Sequence, residues 1–146
     1  MDIDPRCHPD YPCDILRWDF QEYPPGFFDV IAASVPCIEY SIALTTRPRN
    51  MLYSDKLVCR TRKIIEYFNP RVFWIENPRT GYLKRRDCIQ GLPWVDLDYC
   101  QFCDWGYKKP TDFGFLKIWH NFPMFCVIQK RVPMFIGSGM GGSGTG

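Results

Sequence analysis

The sequence predicts a protein of the α/β class from three observations. Two apolar runs, residues 28–35 and 71–75, carry chemistry-bearing residues directly after them: Pro36-Cys37 and Glu76-Asn77-Pro78. Between them, Leu57, Val58, Ile64, Ile65 and Phe68 recur at helical spacing. Strand, helix and strand with short joints imply parallel pairing and a right-handed crossover. Open sheets of this kind place their reacting groups just past the carboxyl ends of the strands, so a thiol and a carboxylate in those two positions point to an enzyme site.

Strand-like runs lie near residues 1–3, 28–35, 71–76 and 94–99. Ser54 stands where a cap would open a helix over 55–68. Asn69-Pro70 ends that helix, because the residue before a proline disfavours helical backbone. No internal repeat is present. The run from Gly137 to Gly146 contains Gly137, Gly139, Gly141, Gly142, Gly144 and Gly146. It follows no recognisable strand and precedes no helix, so it reads as a flexible tail.

At 146 residues, 46% of them hydrophobic, the chain is one domain able to bury a core. A formal charge of +2 gives no strong nucleic-acid footprint in the total. The basic residues are nonetheless local: Arg47, Arg49, Lys56, Arg60, Arg62 and Lys63 follow Cys37, and Arg79, Lys84, Arg85 and Arg86 follow Glu76. Both clusters flank the expected cleft and suit phosphate contacts; for the first, a solvated helix face is the commoner explanation. Eight cysteines without regular spacing, leader or membrane-length apolar run favour a reduced intracellular protein, in cytoplasm or nucleus, with no membrane partner. Cys100 and Cys103, with His120 and Cys126, form a weak zinc signal, and no metal is expected.

In order, spacing and strand context, Pro36-Cys37 and Glu76-Asn77 resemble the catalytic loops of the cytosine-5 DNA methyltransferases. Met1-Asp2-Ile3-Asp4-Pro5 is similar to that family's acidic turn, where a carboxylate binds the ribose of S-adenosylmethionine and the next side chain packs on adenine. Cys13-Asp14-Ile15-Leu16 is similar to the following turn, where an Asp accepts from the adenine amino group. Residues 95–102, with Gly106 to Thr111, resemble a later strand and basic turn of a viral-type branch. The resemblance covers 1–113 and implies a partial Rossmann-like, S-adenosylmethionine-dependent methyltransferase sheet in three layers, α-β-α. It assigns catalysis to Pro36, Cys37, Glu76 and Asn77, cofactor binding to Asp2, Ile3, Asp14 and Ile15, and DNA binding to Arg47, Arg79, Lys108 and Lys109.

The implied chemistry needs these residue types. Carbon 5 of cytosine is a poor nucleophile, so a thiolate from Cys37 must first add to carbon 6 and turn the ring into an enamine. Glu76 would share a proton with ring nitrogen 3 during the attack. A base inside a duplex cannot reach such a pocket, so the cytosine must flip out, at a cost of a few kcal/mol. The plain readings are that Cys37 is a small buried hydrophobe, that Asp2 and Asp4 are a solvated acidic pair, and that Lys108 and Lys109 are an ordinary turn rather than phosphate contacts. A methyltransferase acting on exocyclic amines is disfavoured, since its Asp/Asn-Pro-Pro-aromatic loop is replaced here by Val35-Pro36-Cys37-Ile38.

The first strand and glycine-rich turn that open the methyltransferase fold find no match ahead of Asp2, which leaves neighbouring strands unpaired at their edges. From Gly114 the family pattern is lost, and residues 114–146 read as a frameshifted end. The expected activity is therefore methyl transfer to DNA cytosine by a catalytic core cut from something longer. The alternative is an inactive remnant that binds DNA or a partner, or one half of a split methyltransferase completed by a complementary chain.

Overall fold

The computed structural model describes residues 1–98, 110–115 and 134–136. Five strands form one sheet: β1 (Val30–Ser34), β2 (Val72–Pro78), β3 (Trp94–Asp98), β4 (Pro110–Phe115) and β5 (Met134–Ile136), in the spatial order β3-β4-β2-β1-β5. One α-helix among the described residues, α1 (Met51–Phe68), joins β1 to β2. The predicted parallel pair is present, with Val30 opposite Val72 and Ser34 opposite Glu76. β4 runs antiparallel to both β2 and β3, so the sheet is mixed.

Helix α1 forms because a continuous stripe of Ser54, Leu57, Val58, Thr61, Ile64, Ile65 and Phe68 can be buried on one face. Phe73 and Ile75 alternate along β2 and meet Ile31 and Ala33 of β1 in the same core. The segment ahead of β1 adds Trp18, buried to 3% exposure and ringed by Tyr11, Phe20, Tyr23 and Phe68. Arg60 pins that segment to α1, donating to the carbonyls of Ile15 (3.2 Å) and Trp18 (2.6 Å) while stacking on Phe20. The helix begins earlier than the Ser54 cap implies. Asn50 caps it, its side-chain oxygen accepting from the Tyr53 N–H at 3.2 Å, and Ser54 is buried inside the first turns. At the other end Asn69 takes the left-handed conformation (φ 46°) and its N–H donates to the Ile65 carbonyl, closing the helix before Pro70.

Three further expectations change. Residues 1–3 form no strand; their pairing is an isolated parallel bridge, Asp2 to Pro12. β2 continues through Glu76, Asn77 and Pro78, since β4 offers Phe113, Asp112 and Thr111 as partners, so Glu76 and Asn77 end the strand rather than follow it. Finally, β1 is not left with a bare edge, and the glycine run does follow a strand. β5 lies beside β1 in parallel, with Ile31 opposite Met134 and Ala33 opposite Ile136. A local reading misses this pairing because the partners lie far apart in sequence.

Candidate active site

Chain leaving β1 at Ser34 turns through Val35-Pro36-Cys37 into a single 3-10 turn, residues Ile38–Tyr40, with Cys37 at its entrance. Cys37 is partly exposed, unlike the fully buried alanines behind it in β1. The register sets Ser34 level with Glu76, so the Cys37 loop and the end of β2 emerge at the same edge of the sheet. Asn77, 1% exposed, bridges them directly: its side-chain N–H donates to the Val35 carbonyl at 3.2 Å. This bond holds the backbone immediately before Pro36-Cys37 against the strand that carries Glu76. A second tie joins the loops beyond, where the Tyr82 N–H donates to the Tyr40 carbonyl at 2.9 Å. Gly81 sits inside this joint; a Cβ there would meet the Pro78 carbonyl at 3.2 Å and the Asn77 Oδ1 at 3.3 Å.

The acids and the tyrosine that hold the loop, Glu39, Asp55 and Tyr40, were not singled out in the sequence. Glu39 is a buried carboxylate that accepts from both terminal nitrogens of Arg47 and, at 2.6 Å, from the Asn50 N–H. Arg47 and that N–H keep its carboxyl below the ordinary value of 4.5. The loop after the thiol is thus tied to the start of α1. The buried Tyr40 donates its hydroxyl to Asp55 at 2.9 Å, and Arg86 grips the same carboxylate at 3.0 and 2.6 Å. Arg86 and then Tyr40 lower the Asp55 pKa, while burial first and Asp55 second raise that of Tyr40. The available signal was the pairing of an acid and an arginine within one short loop, Glu39 and Arg47. The Asp55 and Arg86 pair spans too much sequence to be read that way.

The basic clusters need correction. Arg60 is spent on carbonyls ahead of β1; Arg62 donates to the carbonyls of Cys88 and Gln90, both at 3.2 Å, and pairs with Glu66. Arg86 is committed to Asp55 and Lys84 to Asp96 at 2.9 Å. Arg60, Arg62 and Arg86 stabilise the fold because part-buried carbonyls and carboxylates require donors, the Lys84 and Asp96 pair is solvent-exposed, and a sequence gives no sign of a carbonyl partner. Arg47 is held by Glu39 with its side chain 46% exposed. Arg79 is exposed on the turn that follows β2. Lys108 and Lys109 lie outside the described residues, as do the cysteines and histidine of the weak zinc signal. Among the described residues, no group of three or more acids, cysteines or histidines is placed for a metal, and no helix is long and apolar enough to cross a membrane.

The two acidic turns come together. Through the Asp2 to Pro12 bridge, the Cys13 N–H donates to the Asp2 carbonyl at 3.0 Å, setting Asp2-Ile3 beside Cys13-Asp14. One oxygen of Asp2 accepts from the Asp4 N–H and one of Asp14 from the Leu16 N–H, each at 2.9 Å, fixing both carboxylates. Asp4 itself is engaged by Arg6, whose side chain and N–H lower its pKa to about 2. Ile3 remains 61% exposed, and Ile15 packs against the core.

A parallel β-α-β unit with a thiol loop and a carboxylate strand stitched at one edge defines an α/β protein of the kind that works at the carboxyl ends of its strands. The chain is similar to a probable DNA (cytosine-5)-methyltransferase of Frog virus 3 (isolate Goorha), at 36% identity over 141 residues, covering 85% of this chain. It spans 63% of that relative's length. No family model and no solved structure matches it. The chain belongs to the DNA cytosine-5 methyltransferase family, in its viral branch.

Proposed function

We propose that this chain carries out methyl transfer to carbon 5 of cytosine in duplex DNA through a covalent bond between Cys37 and the base. The observation that carries this is the Asn77 bond to the Val35 carbonyl, which ties the Cys37 loop to the strand ending in Glu76. In this reading the Cys37 thiolate adds to carbon 6, and the ring electrons move toward carbon 5. Glu76 holds a proton at ring nitrogen 3 while the charge develops. After transfer, loss of the proton from carbon 5 restores the ring double bond and releases the thiolate. Pro36 limits the backbone directly ahead of the nucleophile.

S-adenosylmethionine, when bound, supplies the methyl group. The residues present fit its adenosine end: two fixed carboxylates, Asp2 and Asp14, stand on adjacent turns, and the exposed Ile3 offers an apolar surface for a base. Ile15 backs that turn from the core. For the flipped cytosine's duplex, Arg79 is the described cation best placed for a phosphate, on the turn next to Glu76 and Asn77. The strand β4 enters the sheet at the same edge, Thr111 being opposite Pro78, and Lys108-Lys109 directly precede it in sequence. Arg47 is the weaker candidate, since Glu39 already engages it.

DNA containing 5-fluorocytosine, incubated with S-adenosylmethionine, tests the reading. A covalent complex resistant to denaturant is expected with the natural chain and is lost in Cys37→Ser. Absence of the complex from the natural chain sinks the proposal. With ordinary DNA, Glu76→Gln should retain DNA binding and lose roughly 10²–10⁴-fold in methylation rate. Arg79→Ala should weaken binding to all sequences alike and reduce the salt dependence of affinity by about one phosphate contact.

A further inference from the structure

Two thiols that play no part in the proposed methyl transfer meet beside the ties of the Cys37 loop. Cys59 lies on α1 one turn after Asp55 and three residues before Arg62, so these three side chains share one face of the helix. Cys88, in the 3-10 turn Asp87–Ile89, is anchored to that face at two points. Its thiol donates to the Asp55 Oδ1 at 4.0 Å, and its carbonyl accepts from Arg62 at 3.2 Å. Cys59 stands between those two anchors, within hydrogen-bond reach of the Cys88 thiol. Both cysteines are free and half-buried, which leaves them open to a small reagent. Burial first, then Cys59 and Asp55, push the Cys88 pKa up, so Cys88 is held as the neutral thiol.

We propose that Cys59 and Cys88 form a modification site, at which a small-molecule disulfide of the glutathione class oxidises the pair to one intramolecular disulfide joining α1 to the turn at residues 87–89. The Cys59 thiolate attacks one sulfur of the small disulfide and releases one small thiol. Cys88 then gives up its proton and displaces the small thiol held on Cys59. The protein loses two protons and two electrons, and the reagent leaves as two thiols. In reducing compartments such bonds are transient and serve to sense oxidant. The covalent bond is shorter than the thiol contact it replaces, so it draws the turn onto α1. Asp55 is one turn from Cys59 and Arg86 is two residues from Cys88, so the carboxylate that accepts from Tyr40 and Arg86 is reset by that movement. The consequence for activity rests on the methyl-transfer reading: oxidation disturbs the loop that presents Cys37 and slows its attack.

Peptide mapping of the full chain tests the pair without DNA. The chain is held in glutathione buffers of rising disulfide content, alkylated with iodoacetamide, digested without reduction and read by mass spectrometry. Peptides linked through Cys59 and Cys88 are expected, separated again by dithiothreitol and absent from Cys59→Ala and from Cys88→Ser. If Cys59 and Cys88 stay alkylated, carry separate glutathione adducts or pair with other cysteines, the assignment is wrong. The oxidised natural chain should also trap 5-fluorocytosine DNA roughly threefold or more slower than the reduced chain, with the rate restored by dithiothreitol. Cys59→Ala should trap at the reduced natural rate in every buffer. If it slows as much as the natural chain does, the pair does not act on Cys37. A natural chain that yields the linked peptides but never traps DNA keeps the thiol pair and sinks the methyl-transfer reading.

Discussion

Glu39 and Asn77 position the proposed nucleophile, and they do so by different physics. Glu39 is an ionised carboxylate held by Arg47 and by the first N–H of the α1 cap. Its folded-state pKa lies below 4.5, so its stabilisation is complete above that value and declines as pH falls through the lower folded value. Glu39→Gln, which keeps the shape and removes the charge, should lower the melting temperature at neutral pH by a few degrees. The gap between variant and natural chain should close as the solution is acidified below about pH 4.5. A gap that stays constant in thermal melts across this range would show that the charge is not what matters. Asn77 acts through a neutral bond in a dry setting, where its loss leaves the Val35 carbonyl without that donor. Asn77→Ala should therefore cost about 1–3 kcal/mol in urea unfolding. It should also slow adduct formation more than it weakens DNA binding, because the Cys37 backbone is released while the phosphate-facing turn remains. Equal losses in both would mean that the bond is merely structural.

Among the elements, α1 and the strands it joins were readable in advance, while their ends were not. The buried stripe from Leu57 to Phe68 is written in local periodicity, and so is the apolar alternation of β2. The start of α1 was placed at Ser54 because serine before aspartate is a familiar cap signal. The competing Asn50 wins because its own N–H is also taken by Glu39, a contact outside the helix. Asn50→Ala should accordingly cost about 1 kcal/mol in stability, whereas a helix opened by Ser54 would lose almost nothing. The site was legible in the same uneven way. Cys37 and Glu76 stand at strand ends that local patterns reveal, and the resemblance to a family identified them as a pair. The ties that hold them, Asn77 to Val35 and Tyr82 to Tyr40, involve backbone carbonyls and leave no mark on the sequence. Arg60 and Arg62 misled for the same reason, since their partners are also carbonyls.

At the scale of the whole molecule, the place of β5 decides whether β1 is an edge strand or an interior one. Successive N–H groups along a strand point to opposite neighbours, so a strand paired on one side protects only alternate amides. With β2 on one side and β5 on the other, β1 has partners in both directions. Every amide from Ile31 to Ala33 should then exchange slowly with deuterium in the full chain. In a chain ending at residue 132, the amides that face the vacated edge should exchange fast, while those facing β2 keep their protection. Uncovering that edge also presents a parallel template to other chains, so the shortened protein should self-associate at concentrations where the full chain does not. If alternate β1 amides already exchange fast in the full chain, β5 is not seated in solution. The edge at which Pro36-Cys37 leaves the sheet would then be built from β1 and β2 alone.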